Sequence, residues 1–252
     1  MKYVRYRYQG IISYGILDGT GVKQIDGGLF GDRLETGVSI DLGSVDLLWP
    51  CQPSKILAVG LNYKSHLGNR AAPERPEVFF KPPSALLEPE GTIMIPGGAQ
   101  DAHYEGELVL VIGKETRGVT PAQAGDCIFG FTCGNDVSER YWQKNDLQWW
   151  RAKGCDTFAP LGPAIAAGFD WKQGRIETRI NGAVVQEGEF RELLFDPNYI
   201  VSYASQHLTL YPGDIIYTGT PGHTKMLRDG DQVEVEIPGI GILKNTVAVS
   251  SE

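Results

Sequence analysis

The sequence predicts a β-rich α+β fold, a sandwich or roll of short strands, on three observations. Short segments with alternating apolar and polar residues recur along the whole chain. Thirty-two glycines and 15 prolines punctuate those segments, a density that suits turns better than a helical bundle. Helical periodicity is confined to a few brief stretches.

Taken in order, residues 3–8 alternate aromatic and basic side chains, and a second strand is expected over 11–17 after Gln9-Gly10. Asp18-Gly19 and Asp26-Gly27-Gly28 read as turns. Residues 1–50 therefore form a small β module with no titratable cluster and a structural or interface role, and Pro50 to Pro53 is the joint to residues 51–252. A buried strand over 55–59 runs into Gly60-Leu61-Asn62-Tyr63-Lys64-Ser65-His66, where a helix can begin. Residues 67–77 are polar, aperiodic and proline-bearing, the composition of a surface loop or mobile lid. A short strand follows over 78–80. Residues 105–112 alternate, with Glu105, Glu107, Val109 and Val111 on one face and Leu108, Leu110 and Ile112 on the other. Thr120-Pro121 opens a short helix with a cap and a proline at its first position. An apolar strand over 127–133 stops at Gly134-Asn135-Asp136, and Ser138 is expected to cap a helix through Lys144. Asn181-Gly182 joins strands 175–180 and 183–186 in a type I′ hairpin. Asp196-Pro197 opens a helix with Ile200, Tyr203, Ala204 and His207 on one face. Strands over 215–218, 232–237 and 242–249 complete the chain.

Size and charge narrow the function. At 252 residues and 27.6 kDa the chain is long enough for a substantial core of its own. A net charge of −8 and a pI near 5.1 argue against nucleic acid as the partner, because phosphate neutralisation needs clustered Lys and Arg. No apolar run is long enough to span a membrane, and the first residues lack the apolar core of a signal peptide, so a cytoplasmic protein is expected. Cys51, Cys127, Cys133 and Cys155 form no CxxC pair and read as reduced, mostly buried thiols.

Several residues carry chemistry. Glu105 and Glu107, at i and i+2 on a strand, project together and suit a hard divalent cation; the alternative is an exposed face with two solvated acids. Asp136 ends an apolar strand, a place for either a functional carboxylate or a helix cap. His66 follows a strand-to-helix turn. Lys153 lies between aromatic stretches, either in a site or snorkelling at the surface. Thr218-Gly219-Thr220-Pro221-Gly222 is a small-residue loop able to offer backbone N–H groups to an anion.

In their order along the chain these segments resemble a known family. Gly60 to His66, Phe79-Phe80-Lys81-Pro82, His103-Tyr104-Glu105-Gly106-Glu107-Leu108, Asn135-Asp136-Val137-Ser138-Glu139-Arg140, Lys153-Gly154-Cys155-Asp156 and Thr218-Gly219-Thr220-Pro221 together resemble the fumarylacetoacetate hydrolase family. The resemblance implies a mixed β-sandwich roll over 51–252, a small N-terminal β domain, a homodimer, and a divalent metal (Mg²⁺ or Mn²⁺, with Ca²⁺ also compatible) on Glu105, Glu107 and Asp136. It implies a small 2-oxo or β-diketo acid substrate, with Arg140, Gln143 and Thr220 lining its site. Lys153 would stabilise an enolate oxygen, and His66 would serve in proton transfer. The expected reaction is acylpyruvate-type C–C cleavage through a metal-held enolate. The alternatives are oxaloacetate decarboxylation, hydroxymuconate-type isomerisation or tautomerisation, and a non-catalytic acid-binding role. One position departs from the family pattern: the Glu that in hydrolytic members follows the His by three residues is Asn69, leaving Glu74 as a candidate replacement. Asn cannot take a proton from His, which weighs against hydrolysis more than against enolate chemistry.

Overall fold

The computed structural model describes residues 1–250. It has a large mixed sheet and a five-stranded sheet with a core between them. The principal path of the large sheet runs Leu34–Asp41, Gly21–Asp26, Ile11–Asp18, Lys2–Tyr8, Ala159–Ala166, Ile128–Asn135, Gly106–Ile112, Ile215–Tyr217, Ile56–Gly60, Glu77–Lys81. The second sheet runs Ala183–Glu189, Arg175–Ile180, Gln232–Ile237, Gly241–Val249, Thr92–Ile95. The expected strands are present, and Asn181 and Gly182 adopt φ of 52° and 80°, as a type I′ hairpin requires. Residues 1–50 are hydrogen-bonded into the large sheet, where Lys2 and Tyr3 pair with Ala166 and Ile165.

Alternation along Gly106–Ile112 serves two cores. Leu108, Leu110 and Ile112 face the second sheet, packing with Ile176, Val235, Ile237 and Leu243 and with Ile200, Val201 and Ala204 of the helix Pro197–His207. Val109 and Val111 face the opposite core with Ile56, Ala58, Ile215 and Tyr217. The two sheets touch at Gly106: a Cβ there would lie 2.1 Å from Thr178 Oγ1 and 3.4 Å from Val235, so only glycine fits.

Three local expectations are corrected. Ser138 caps no helix; Ser138–Glu139 pairs with Ala102–His103, and the helix begins at Arg140 with Glu139 accepting from Trp142 N at 2.5 Å. A cap two residues from a strand end cannot be told from that strand by pattern alone. His207 shares the face of Tyr203, their ring centroids 5.2 Å apart, but is exposed and not part of the core. Glu105 lies just before the strand, which starts at Gly106.

Cys51, Cys127 and Cys133 are buried, Cys155 is half-buried, and all four are free thiols. Burial pushes the thiols of Cys51 and Cys133 up to about 12, so almost no nucleophilic thiolate forms at neutral pH. Maleimide labelling of the native protein is expected to be confined to Cys155, and all four cysteines should react after denaturation. Fast native labelling of Cys51 or Cys133, located by peptide mass, would contradict this packing. Among the described residues no helix is long and apolar enough to cross a membrane.

Candidate metal and enolate site

Strand polarity gathers the site. Gly106–Ile112 runs antiparallel to both Ile128–Asn135 and Ile215–Tyr217, and Ile56–Gly60 runs parallel to the latter. The start of the first strand therefore lies beside the ends of the other three. Glu105 and Glu107 come from that start, Asp136 and Thr218 to Thr220 follow two of the ends, and Gly60 leads into the one-turn helix Lys64–Leu67 that carries His66. Register completes the placement: Gly106 pairs with Asn135, Asp136 N donates to Glu105 O at 2.9 Å, and Asn135 Oδ1 accepts from Glu105 N at 2.8 Å.

Glu105, Glu107 and Asp136 are 4%, 2% and 1% exposed, so the reading of two solvated acids does not hold. One carboxylate oxygen from each lies within 4.8 Å of the others. Lys153, also buried, bridges two of them, with Nζ 2.6 Å from Glu105 Oε2 and 2.5 Å from Asp136 Oδ2. Its burial excludes the snorkelling surface lysine. Arg140 donates to the other oxygen of Glu105, to Thr224 Oγ1 at 3.0 Å and to Gln143 Oε1 at 2.8 Å. Ser138 Oγ donates to Glu105 Oε2 at 3.0 Å. Glu107 accepts from Gly219 N at 2.6 Å, so the small-residue loop does serve an anion, one that belongs to the chain itself.

These contacts set the charge states. Burial opposes ionisation of Glu105, but Arg140 and Lys153 outweigh it and hold its carboxyl well below the usual range. Glu107 has no cation on it; burial, then Asp136 and Glu105, push it well above that range. Burial lowers Lys153, yet Asp136 and Glu105 overcome this and raise it. Burial depresses His66, partly offset by Glu105.

The donor set fits a hard divalent ion. Three carboxylates converge in a buried space, an ammonium already bridges two of them, and the third is left without a cation. Glu105, Glu107 and Asp136 would hold the ion. Mn²⁺ should then displace a proton from Glu107, seen in calorimetry as a binding heat that changes with the buffer's ionisation enthalpy. At 100 times its Kd the ion should stabilise the fold by about 2.7 kcal/mol, seen as a raised Tm. A Tm indifferent to Mn²⁺ and Mg²⁺ at millimolar concentration would count against the site.

The triad opens into a cavity of about 660 Å³. His66, Arg140, Gln143, Lys153 and Thr220 all line it, together with Arg70, Phe79, His103, Trp149 and His223. His66 Nδ1 lies 2.6 Å from Gly222 O, and its Nε2 is 3.6 Å from Glu105 Oε1. The Thr220 hydroxyl is already engaged, donating to Gly106 O at 2.9 Å and accepting from Gln186 at 2.9 Å. Asn69 and Glu74 are both exposed, and among the described residues the cavity wall carries no carboxylate beyond the triad. Leu67, Gly68 and Arg70 of the expected lid do reach that wall.

Sequence reasoning missed Lys81. It is fully buried at the end of Glu77–Lys81, and its ammonium is 2.5 Å from Asp136 Oδ1 and 3.4 Å from Val137 O. It stood in a quoted motif, Phe79-Phe80-Lys81-Pro82, but nothing local ties it to an acid 55 positions away.

Residues 55–248 match the fumarylacetoacetate (FAA) hydrolase C-terminal domain, and residues 1–50 match the Rv2993c-like N-terminal domain. A 2-hydroxyhepta-2,4-diene-1,7-dioate isomerase from Mycobacterium marinum superposes with a TM-score of 0.94 at 39% identity, covering 100% of both chains. The human mitochondrial oxaloacetate tautomerase FAHD2A is 36% identical over 78% of this chain and 67% of its own. A maleylpyruvate hydrolase from Sphingobium sp. SYK-6, solved with manganese(II) and pyruvate, superposes with a TM-score of 0.83 at 27% identity over 100% of both chains. The match over most of the chain, with whole-chain structural agreement, establishes that the protein belongs to the fumarylacetoacetate hydrolase family.

Proposed function

We propose that the protein is a divalent-metal-dependent enzyme that interconverts the enol and keto forms, or the double-bond isomers, of a small 2-oxo dicarboxylic acid. The observation that carries this is the environment of His66. Its Nδ1 faces a carbonyl, which only accepts, so Nδ1 holds the proton, and in the neutral ring Nε2, 3.6 Å from Glu105 Oε1, keeps a lone pair. Behind it stands a backbone carbonyl, where a hydrolytic dyad would need a carboxylate. One neutral imidazole suffices for tautomerisation: the enol oxygen loses a proton, a carbon gains one, and no water is consumed. Hydrolysis needs an activated water as well.

The other roles follow from position. Glu105, Glu107 and Asp136 would hold the cation, which would supply Lewis-acid chemistry to the substrate when bound. The Lys153 ammonium adds a fixed positive charge where enolate charge develops. Arg140 and Gln143, which line the cavity, would hold a carboxylate, and the apolar rings of Phe79 and Trp149 in its wall would limit water. The similar human tautomerase and mycobacterial isomerase support this reading. Acylpyruvate-type cleavage is the second reading, supported by the same triad and by the similar maleylpyruvate hydrolase.

The deciding experiment follows the metal-loaded enzyme by NMR in D₂O. Enol loss and C3 deuteration of oxaloacetate are compared with pyruvate release from acetylpyruvate and fumarylpyruvate. Tautomerisation should dominate, and cleavage with an equal kcat/KM would favour the second reading. Because the base is neutral His66, held below its ordinary 6.5, activity should be full above that depressed value and be lost only as pH falls through it. An acid limb centred above 6.5 would remove His66 from this role.

A further inference from the structure

A second histidine in the cavity, His103, makes contacts that the proposed chemistry does not use. Its Nδ1 lies 2.8 Å from Thr224 Oγ1 and its Nε2 lies 2.7 Å from Asp101 Oδ1. The same Thr224 oxygen lies 3.0 Å from Arg140 Nη2, which also donates to Glu105. Hydrogen-bond polarity orders this chain. The Asp101 carboxylate only accepts, so His103 Nε2 holds a proton and donates it. In the neutral ring Nδ1 then accepts the Thr224 hydroxyl hydrogen, and the Thr224 oxygen accepts from Arg140, which can only donate. The chain runs from a surface carboxylate to a buried one with donors and acceptors consistently matched.

Backbone contacts make His103 a junction between two parts of the site. It pairs with Ser138 on one side and forms a bridge with Met226 on the other, while Arg140 N donates to Asp101 O at 2.9 Å and Leu227 N to Ala102 O at 2.8 Å. Thr224 stands two residues beyond Gly222, whose carbonyl faces His66 Nδ1 and whose N–H donates to Ser65 Oγ at 3.0 Å. Both ring nitrogens of His103 are committed, so the ring has no lone pair or proton free for substrate.

We infer that His103 is a positioning residue: through Thr224 it aims the guanidinium of Arg140 at the substrate carboxylate and anchors the loop whose Gly222 carbonyl orients His66. This rests on the enolate-site reading in that Arg140 and His66 must act on the ligand.

The test uses the full-length, Mn²⁺-loaded protein and oxalate, a planar dianion that mimics an enolate, in calorimetry, alongside oxaloacetate tautomerisation kinetics. His103→Phe keeps the ring shape and removes both nitrogens, and Thr224→Val removes only the hydroxyl. Each should weaken oxalate binding and raise KM by about 10- to 100-fold, the scale set by small misplacements of a binding group, with Mn²⁺ affinity unchanged. The double variant should match the singles, because all three break one chain. His103→Asn, which keeps an acceptor near the Nδ1 position, should stay within a few fold of the wild type. Wild-type oxalate affinity in Thr224→Val, which is nearly isosteric and should fold normally, would overturn the inference. So would an Asn variant as impaired as the Phe variant. If the wild type proves inactive on oxaloacetate while the variants still lose oxalate, the positioning role stands and the tautomerase reading fails.

Discussion

Asp136→Ala is expected to destabilise the metal-free protein by about 3–5 kcal/mol, the range for removing one partner of a buried ion pair. Asp136 accepts from both Lys81 and Lys153 at 2.5 Å, and without it the Lys81 ammonium keeps only Val137 O at 3.4 Å. That loss is a large share of an ordinary stability of about 5–15 kcal/mol. Denaturant unfolding without metal measures it. Adding Lys81→Met to Asp136→Leu should restore much of the loss, because the stranded charge is gone. If Asp136→Ala costs under about 1 kcal/mol, water or a rearranged neighbour must solvate Lys81, and the buried pair described here is not a rigid one. With metal, Asp136→Ala should also abolish turnover, since one of three ligands is missing.

Lys153→Met should separate binding from chemistry. In the metal-free protein the ammonium lies on Glu105 and Asp136, two of the carboxylates the cation needs. Removing it removes a competitor, so Mn²⁺ affinity should hold or rise. Turnover should fall by about 10²–10³, the loss expected when one preorganised charge is deleted from an anion-stabilising site. His66→Ala should lower tautomerisation by about 10²–10⁴, the scale of a positioned base. Measuring Mn²⁺ binding and kcat on the same preparations checks both. A Lys153→Met enzyme that keeps its rate would place the anion-stabilising charge elsewhere, with Lys81 the nearest candidate.

Much of this architecture was legible in the sequence because strands advertise themselves by alternation. Gly106–Ile112 and the Asn181-Gly182 hairpin are examples, set by local chemistry alone. Glu105 and Glu107 were legible for the same reason, since spacing on a strand predicts convergence. Features made by pairing across the chain were not legible. Lys81 reads as the polar end of an edge strand until Asp136 is folded against it. Lys153 is a candidate by sequence, but its local pattern leaves a site residue and a snorkelling lysine both open until two carboxylates are folded against it and offset its desolvation. The pairing of Ala102–His103 with Ser138–Glu139 is two residues long, too short to show a period, so Ser138 looked like a cap and the Thr224 chain was invisible. Asn69 was noticed in the sequence, but what it implies depends on which side chains reach the cavity wall.

The contact between the sheets at Gly106 divides the site by its freedom to change. Glu105 and Glu107 flank a residue at which the sheets touch closely, with Thr178 Oγ1 2.1 Å from where a Cβ would be, so almost any substitution there would force the layers apart. The acids are thus pinned by the architecture whatever the reaction. His66, Asn69 and Arg70 instead sit on or just beyond a single helical turn, where Asn69 and Arg70 are exposed and replacements meet little resistance. Variation can therefore accumulate on the proton-handling side while the charge-stabilising side stays constant. A scaffold partitioned in this way can be retuned between tautomerisation, isomerisation and hydrolysis without being refolded.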